Sequence, residues 1–326
     1  MKSSTTSPIF SSAPLLLPAY PPRRLSSFIP LSSWDNMSLF SESSGFSSSN
    51  SSHISPNIYR ITPQATTRFL NINNAVAFIR HMFDQYPTHQ QHYICLSDVT
   101  ETQAQDLAKK RQDHSLPSMR VTYFPADSSL IIKLASPLHE RTCDLFHEIM
   151  IRQYTAAGIT SSILMPSGTA TRQMVGGVSK QPDKSWVPWN TRNDNDYPSF
   201  VLEVGDSESL DRLRLDARIW LDTSGGCTRL VLLVSVDRAR RTIVFERWQR
   251  LEDRNLQNNQ QTFTARRVQR VTVDYAHGNV VAGAPLLLPM ELMFDSLPIV
   301  PADSPPANTL FAVPAAELQN LAALLF

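Results

Sequence analysis

The chain reads as an α/β protein, and three observations carry that reading. Residues 137–236 run helix, strands, helix, strand, the order of an α/β core. Apolar, β-branched runs at Leu230 to Val236, Thr242 to Trp248 and Val268 to Tyr275 append further strands. The composition, 42% hydrophobic and 18% charged over 326 residues, supplies a sizeable core and excludes a wholly disordered or fibrous chain.

The first 55 residues stand apart. Nineteen are serine, with prolines at 8, 14, 18, 21, 22 and 30. Such a segment buries too little apolar surface to offset its ordering entropy, so 1–55 is expected to be a disordered Ser/Pro-rich tail. The only early apolar run, Leu15 to Leu17, is bracketed by Pro14 and Pro18, which speaks against a secretory signal.

A helical lead-in over 56–118 follows. Asn73 to Tyr86 spaces Val76, Ile79 and Phe83 helically, and Thr100 or Glu101 to Gln112 reads as a polar, mostly solvent-facing helix. The main core is expected over 119–300. Met119 to Phe124 and Ser129 to Leu134 flank Pro125-Ala126-Asp127 as a hairpin. Ser136 caps and Pro137 opens a helix running to about Ala157, which Gly158 ends. Ile159 to Met165 and Thr169 to Met174 read as a strand hairpin about Pro166-Ser167-Gly168. Phe200 to Val204 is a short apolar strand, and Ser209 to Leu221 an amphipathic helix with Leu213, Ala217 and Trp220 on one side. The Pro-rich segment 301–326 ends in a helix at Ala315 to Leu324.

Charge and cysteines narrow the setting. The formal net charge is +1, so no global basic field points to nucleic acid. Three widely spaced cysteines, Cys95, Cys143 and Cys227, cannot complete a disulfide framework, which favours a reducing, intracellular compartment, cytoplasmic or nuclear. The longest apolar runs fall far short of the ~20 residues of a membrane helix, so no membrane partner is expected.

Glu203 is the first candidate for chemistry. It interrupts the apolar run Phe200-Val201-Leu202-Glu203-Val204, and a buried carboxylate calls for a cation, a metal or a proton. An exposed strand edge, or an arginine such as Arg212 or Arg214, would also satisfy it. Pro182-Asp183 stands twenty residues before it. Two carboxylates from neighbouring strands can converge on Mg²⁺ or Mn²⁺, which keep water ligands and grip a phosphate. Nine acidic against five basic side chains over 183–222 give a local field that favours a cation. His139, Cys143 and His147 share a helical stripe, but its ends lie ~12 Å apart, too far to share one ion. They read as an ordinary buried cysteine between partly exposed histidines.

Pro182-Asp183, then Glu203-Val204-Gly205, a helix and the strand Leu230 to Val236 resemble the PD-(D/E)xK nuclease superfamily. The stretch YPSFVLEVGDSESLDRLRLDARIWL, followed by VLLVSV, is similar to a group of uncharacterised fungal proteins of that restriction-endonuclease-like fold, a mixed sheet flanked by helices. The resemblance covers roughly 119–300. It implies that Asp183 and Glu203 are the metal-binding carboxylates, that Glu140 is a further acidic ligand, and that a Mg²⁺-dependent phosphodiester hydrolase results. The motif lysine is replaced by Gly205. Arg212 then stands in about the right place to hold a phosphate, although an arginine cannot act as a general base; Lys180 and Lys184 flank Asp183 as substitutes. The loss of the lysine leaves a second reading open, a catalytically inactive nuclease fold serving as a nucleic-acid-binding or protein-interaction module.

A basic stretch completes the inventory. Arg229 to Arg270 holds ten arginines and four acidic residues. Arg240 and Arg241 at a turn, with Arg266 and Arg267 on the next strand, are candidate contacts to the phosphates of DNA or RNA. No GxSxG elbow and no phosphate-cradling glycine loop is present.

Overall fold

Two mixed sheets with helices on their faces make up an α/β fold. The structure is a computed structural model describing residues 63–85, 92–112, 116–159, 163–206, 210–255, 260–297 and 310–326. All of these fall in one unit, Ser52–Phe326. The expected tail over 1–55 lies outside them, as do residues 301–309. No helix among the described residues is long and apolar enough to cross a membrane.

In chain order the elements are β1 (Ala65–Arg68), α1 (Ile72–Gln85), β2 (His92–Ser97), α2 (Glu101–Gln112), β3 (Met119–Phe124), β4 (Ser129–Leu134), α3 (Pro137–Ala156), β5 (Leu164–Pro166), β6 (Arg172–Gln173), β7 (Ser179–Lys180) and β8 (Lys184–Pro188). They continue with β9 (Phe200–Asp206), α4 (Leu210–Thr223), β10 (Leu230–Asp237), β11 (Thr242–Asn255), β12 (Gln260–Asp274), β13 (Val280–Ala282), β14 (Leu286–Pro289), α5 (Met290–Met293), β15 (Leu310–Val313) and α6 (Ala315–Leu325). One sheet is ordered β1-β2-β4-β3-β7-β6, the other β13-β12-β11-β10-β9-β8-β5, and β14 pairs with β15. Within the second sheet β9 and β10 run parallel, joined through α4.

Local chemistry explains the helix starts. The Asn71 side chain accepts the Asn74 amide at 3.0 Å ahead of α1. Thr100 and Gln103 cap α2 reciprocally, at 2.9 and 3.3 Å. The Ser136 hydroxyl accepts the His139 amide at 3.1 Å and donates to the Asp206 carboxylate, so the α3 cap is tied to the end of β9.

Two readings need correction. The 56–118 segment is not purely helical: it carries β1 and β2, and β2 pairs with β4, so one sheet runs across residue 119. In HYICLS every residue but the last is buried, so the strand lacks the alternation that patterning looks for. The hairpin read over 159–174 does not form either. Its two short strands join different sheets, β5 pairing with β8 and β6 with β7. The Pro166-Ser167-Gly168 turn passes the chain between sheets, with Gly168 in the left-handed region at φ +63°.

Three apolar layers result. Ile79, Leu107, Ile94, Leu96 and Ile132 pack α1 and α2 on the outer face of the first sheet. Tyr93, Phe124 and Ile131 from its inner face meet Leu213, Ala217 and Trp220 of α4 and Val201 and Leu233 of the second sheet. The far face of that second sheet, with Phe200, Leu202 and Leu232, packs on Phe146 and Met150 of α3 and Leu321 of α6. A charged group on β9 that points toward α4 is therefore enclosed between two sheets.

Candidate functional site

Strand alternation points Glu203 into that interior. Val201 and Glu203 face α4, whereas Phe200, Leu202 and Val204 face α3, and every residue of β9 is buried. Lys184 pairs with Leu202, so Asp183 immediately before β8 lies level with Glu203 on the neighbouring strand. The two carboxylates touch one ammonium: Lys133 Nζ is 2.5 Å from Asp183 Oδ2 and 3.8 Å from Glu203 Oε2. Such a separation is well inside the ~10 Å beyond which two groups cannot serve one site.

Each carboxylate has its own set of donors. Asp183 Oδ2 also accepts the Val204 amide at 2.7 Å and stands 3.0 Å from His139 Nε2, while Arg120 Nε lies 3.7 Å from Oδ1. Glu203 Oε1 accepts the Trp220 indole N–H at 2.6 Å and lies 3.3 Å from Lys180 Nζ. Lys180 donates in turn to Asp216 at 2.6 Å, and Arg212 stands 3.4 Å from the same Asp216 oxygen. Arg120 reaches the other way, to Glu140 at 3.0 and 3.2 Å. Arg120, Lys133, Lys180, Arg212 and His139 thus face Glu140, Asp183, Glu203 and Asp216.

Their ionisation follows from this wiring. Burial alone would raise the Asp183 carboxyl, but His139, Lys133 and Arg120 hold it well below the usual carboxylate range. Burial pushes Glu203 up to about 8, against the pull of Lys180 and with the push of Asp183 and Asp216. Asp216 is lowered: burial opposes this, and Arg212 and Lys180 outweigh it. His139 is raised, because Asp183 outweighs the penalty of burial. Glu140, whose burial is offset by hydrogen bonding to His139 and by Arg120, falls to about 2. The pair is split, with Asp183 ionised and Glu203 protonated near neutrality.

A divalent cation does not fit this arrangement. The Lys133 ammonium stands between Asp183 and Glu203, where the shared ion would have to sit, and every carboxylate of the cluster already faces a cationic partner. Nor do three His, Cys, Asp or Glu side chains among the described residues group so as to hold a metal. The acidic excess over 183–222 misleads because Arg120, Lys133, His139 and Lys180, all from outside that window, reverse the local balance. Access is closed as well. Asp183 and Glu203 are 2% and 1% exposed, and neither lines the nearby cleft of about 440 Å³ beside Lys109, Thr171 and Gln181.

The sequence-derived set is only partly assembled. Asp183 and Glu203 meet. Glu140 joins through Arg120 and a 3.6 Å approach to His139 rather than by touching either of them. Arg212 neutralises Asp216 and lies 5.0 Å over the Tyr93 ring, and Glu203 is satisfied by Lys180 and Trp220 rather than by Arg212 or Arg214. Lys184 turns to Asp144 at 2.8 Å, away from the cluster. His139 is wholly buried, not partly exposed.

The four candidate phosphate contacts do not form one patch. Arg240 is exposed near Asp237 at 3.8 Å, and Arg241 lies over Tyr275 at 4.6 Å. Arg267 pairs with Trp248, six residues along β11 from Thr242, roughly 20 Å at ~3.4 Å per residue. Arg266 faces the opposite side from Arg267 by alternation. Patterning missed Arg120, Lys133, Asp216 and Trp220. A signal for two of them existed: SLIIKL and MRVTYF each carry a cation inside an apolar strand, the same anomaly that singled out Glu203.

The chain matches no protein-family model, and no curated protein matches it.

Proposed function

We propose that the chain is a restriction-endonuclease-like protein whose carboxylate pair is kept as an internal ion network, and that it works as a nucleic-acid-binding module without hydrolysing its partner. The fold reading draws support from the element order. A helix (α3) precedes three antiparallel strands (β5, β8, β9), a helix (α4) and a parallel strand (β10), with Asp183, immediately before β8, level with Glu203 on β9. The observation that carries the non-hydrolytic reading is the Lys133 ammonium in contact with both carboxylates in a closed interior.

One feature favours the hydrolytic reading instead. Lys180 and Lys133 approach Glu203 at 3.3 and 3.8 Å, so ammonium groups stand where Gly205 leaves the motif short. Incubating the full chain with a panel of DNA and RNA in Mg²⁺ or Mn²⁺ decides between the two. The expected result is no cleavage above that of Glu203→Gln. Cleavage that disappears in Glu203→Gln would replace this proposal with the metal-dependent nuclease.

A further inference from the structure

Glu246 lies on the same face of the second sheet as Glu203, and its surroundings are cationic in excess. Its side chain is 0% exposed, while those of Arg214, Arg267 and Arg270 are 27%, 42% and 46% exposed. Arg214 grips it bidentately at 2.7 and 3.0 Å, Arg267 donates to it at 2.9 Å, and Arg270 approaches to 3.8 Å. The Trp248 indole donates at 3.2 Å. One buried carboxylate faces three guanidinium groups, two of them hydrogen-bonded to it, whose side chains are partly exposed. Among the described residues the other carboxylate bound there is Asp211, at 2.8 Å from Arg214 and 86% exposed.

This gathering depends on a β-bulge. Residues 267 and 270 are three apart and would face opposite sides of a regular strand. The register shifts between Arg247 and Trp248, so that Glu246 pairs with Arg270 and Trp248 with Arg267, leaving Val268 as the extra residue. Both arginines then share the face of Glu246. The β12 edge is fixed on its other side by Gly283 (φ +84°), where any Cβ would collide with the Arg270 carbonyl.

We propose that Arg214, Arg267 and Arg270, pre-oriented by Glu246, form the contact for backbone phosphates of a nucleic-acid strand. This rests on the nucleic-acid reading given above. Guanidinium forks suit phosphate oxygens, and holding them on a buried carboxylate lowers the entropy lost on binding.

The test is titration of the full chain against fluorescent single-stranded and duplex DNA and RNA at several salt concentrations. The double substitution Arg267→Gln with Arg270→Gln should weaken binding ~10-fold and lower the salt slope by about 1.8, two phosphate contacts' worth. Glu246 keeps Arg214 in that variant, and the unfolding midpoint checks the fold. Arg270→Gln alone, which removes the most distant of the three partners, should lower the slope by ~0.9. Arg68→Gln, at a 72% exposed position on β1 in the other sheet, should change nothing. If the wild type binds and the double variant keeps its slope, this site is overturned while the binding reading stands. An equal loss in Arg68→Gln overturns it too, because any surface arginine would then serve. Failure of the wild type to bind any probe removes both.

Discussion

Glu203 and Glu246 flank the same residue, each opposite Leu233 in register, on one face of one sheet. Both are buried to within 1% of complete. Their ionisation nonetheless diverges: Glu203 is pushed up to about 8, whereas Glu246 is lowered, because hydrogen bonds from Arg214 and Arg267 overcome the cost of burial. Solvent exposure does not separate them, but depth does: Glu203 lies deeper in the protein, so burial pushes it up more strongly. Guanidinium groups meet Glu246 directly and serve no second buried acid, while Lys180 and Lys133 are divided between Glu203 and the stronger claims of Asp216 and Asp183. The first cluster is sealed between sheets; the second opens its cations to water.

The largest expected effect breaks the sealed cluster at its centre. Asp183→Asn takes the nearest anion from buried Lys133 and His139, while Arg120 keeps Glu140, and should destabilise by about 3–5 kcal/mol in chemical unfolding. A loss below ~1 kcal/mol would show that these cations are neutralised elsewhere. Glu246→Gln should cost less, ~1–2 kcal/mol, since its arginines can turn into water. Equal losses at the two sites would erase the contrast between sealed and open clusters.

Glu203→Gln sharpens the comparison through pH. A carboxyl raised from its ordinary 4.5 to about 8 contributes stability that is fully present below pH 4.5 and is lost as pH rises through 8. His139, also raised, acts in the same direction above its usual 6.5. Asp183 and Asp216 are lowered, so their contribution is present above 3.8 and disappears as pH falls through their folded values. Stability should peak on the mildly acidic side of neutrality. The Gln variant mimics the protonated acid and keeps an acceptor for the Trp220 N–H, so it should be within ~1 kcal/mol of wild type near pH 4.5 and lose less stability between pH 5 and 8. Parallel stability curves for the two proteins would sink the assignment of a protonated Glu203. Smallest of all, millimolar Mg²⁺ should leave the wild-type midpoint unmoved; a rise that Glu203→Gln abolishes would mean that the ion displaces Lys133.

Much of this molecule was legible before any coordinates. Ser136-Pro137 and Gly158 bound a helix because capping is a matter of a few consecutive residues. FVLEV announced a buried carboxylate because one acid in an apolar strand has to be satisfied, and by the same rule SLIIKL, MRVTYF and TIVFERW flag Lys133, Arg120 and Glu246. HYICLS escaped because a strand buried on both faces carries no alternation.

Local sequence determines which charges are inside, since alternation and apolar context act over a few residues. It does not determine which charges meet. Lys133 lies 50 positions from Asp183, and they touch only because two sheets close over α4. Whether a cluster is sealed or open was likewise decided by the tertiary structure, through sheet order and a single bulge at Val268 that turns Arg267 and Arg270 to one side. Coulomb energy depends on distance and solvent exposure, and folding sets both long after the residue types are fixed.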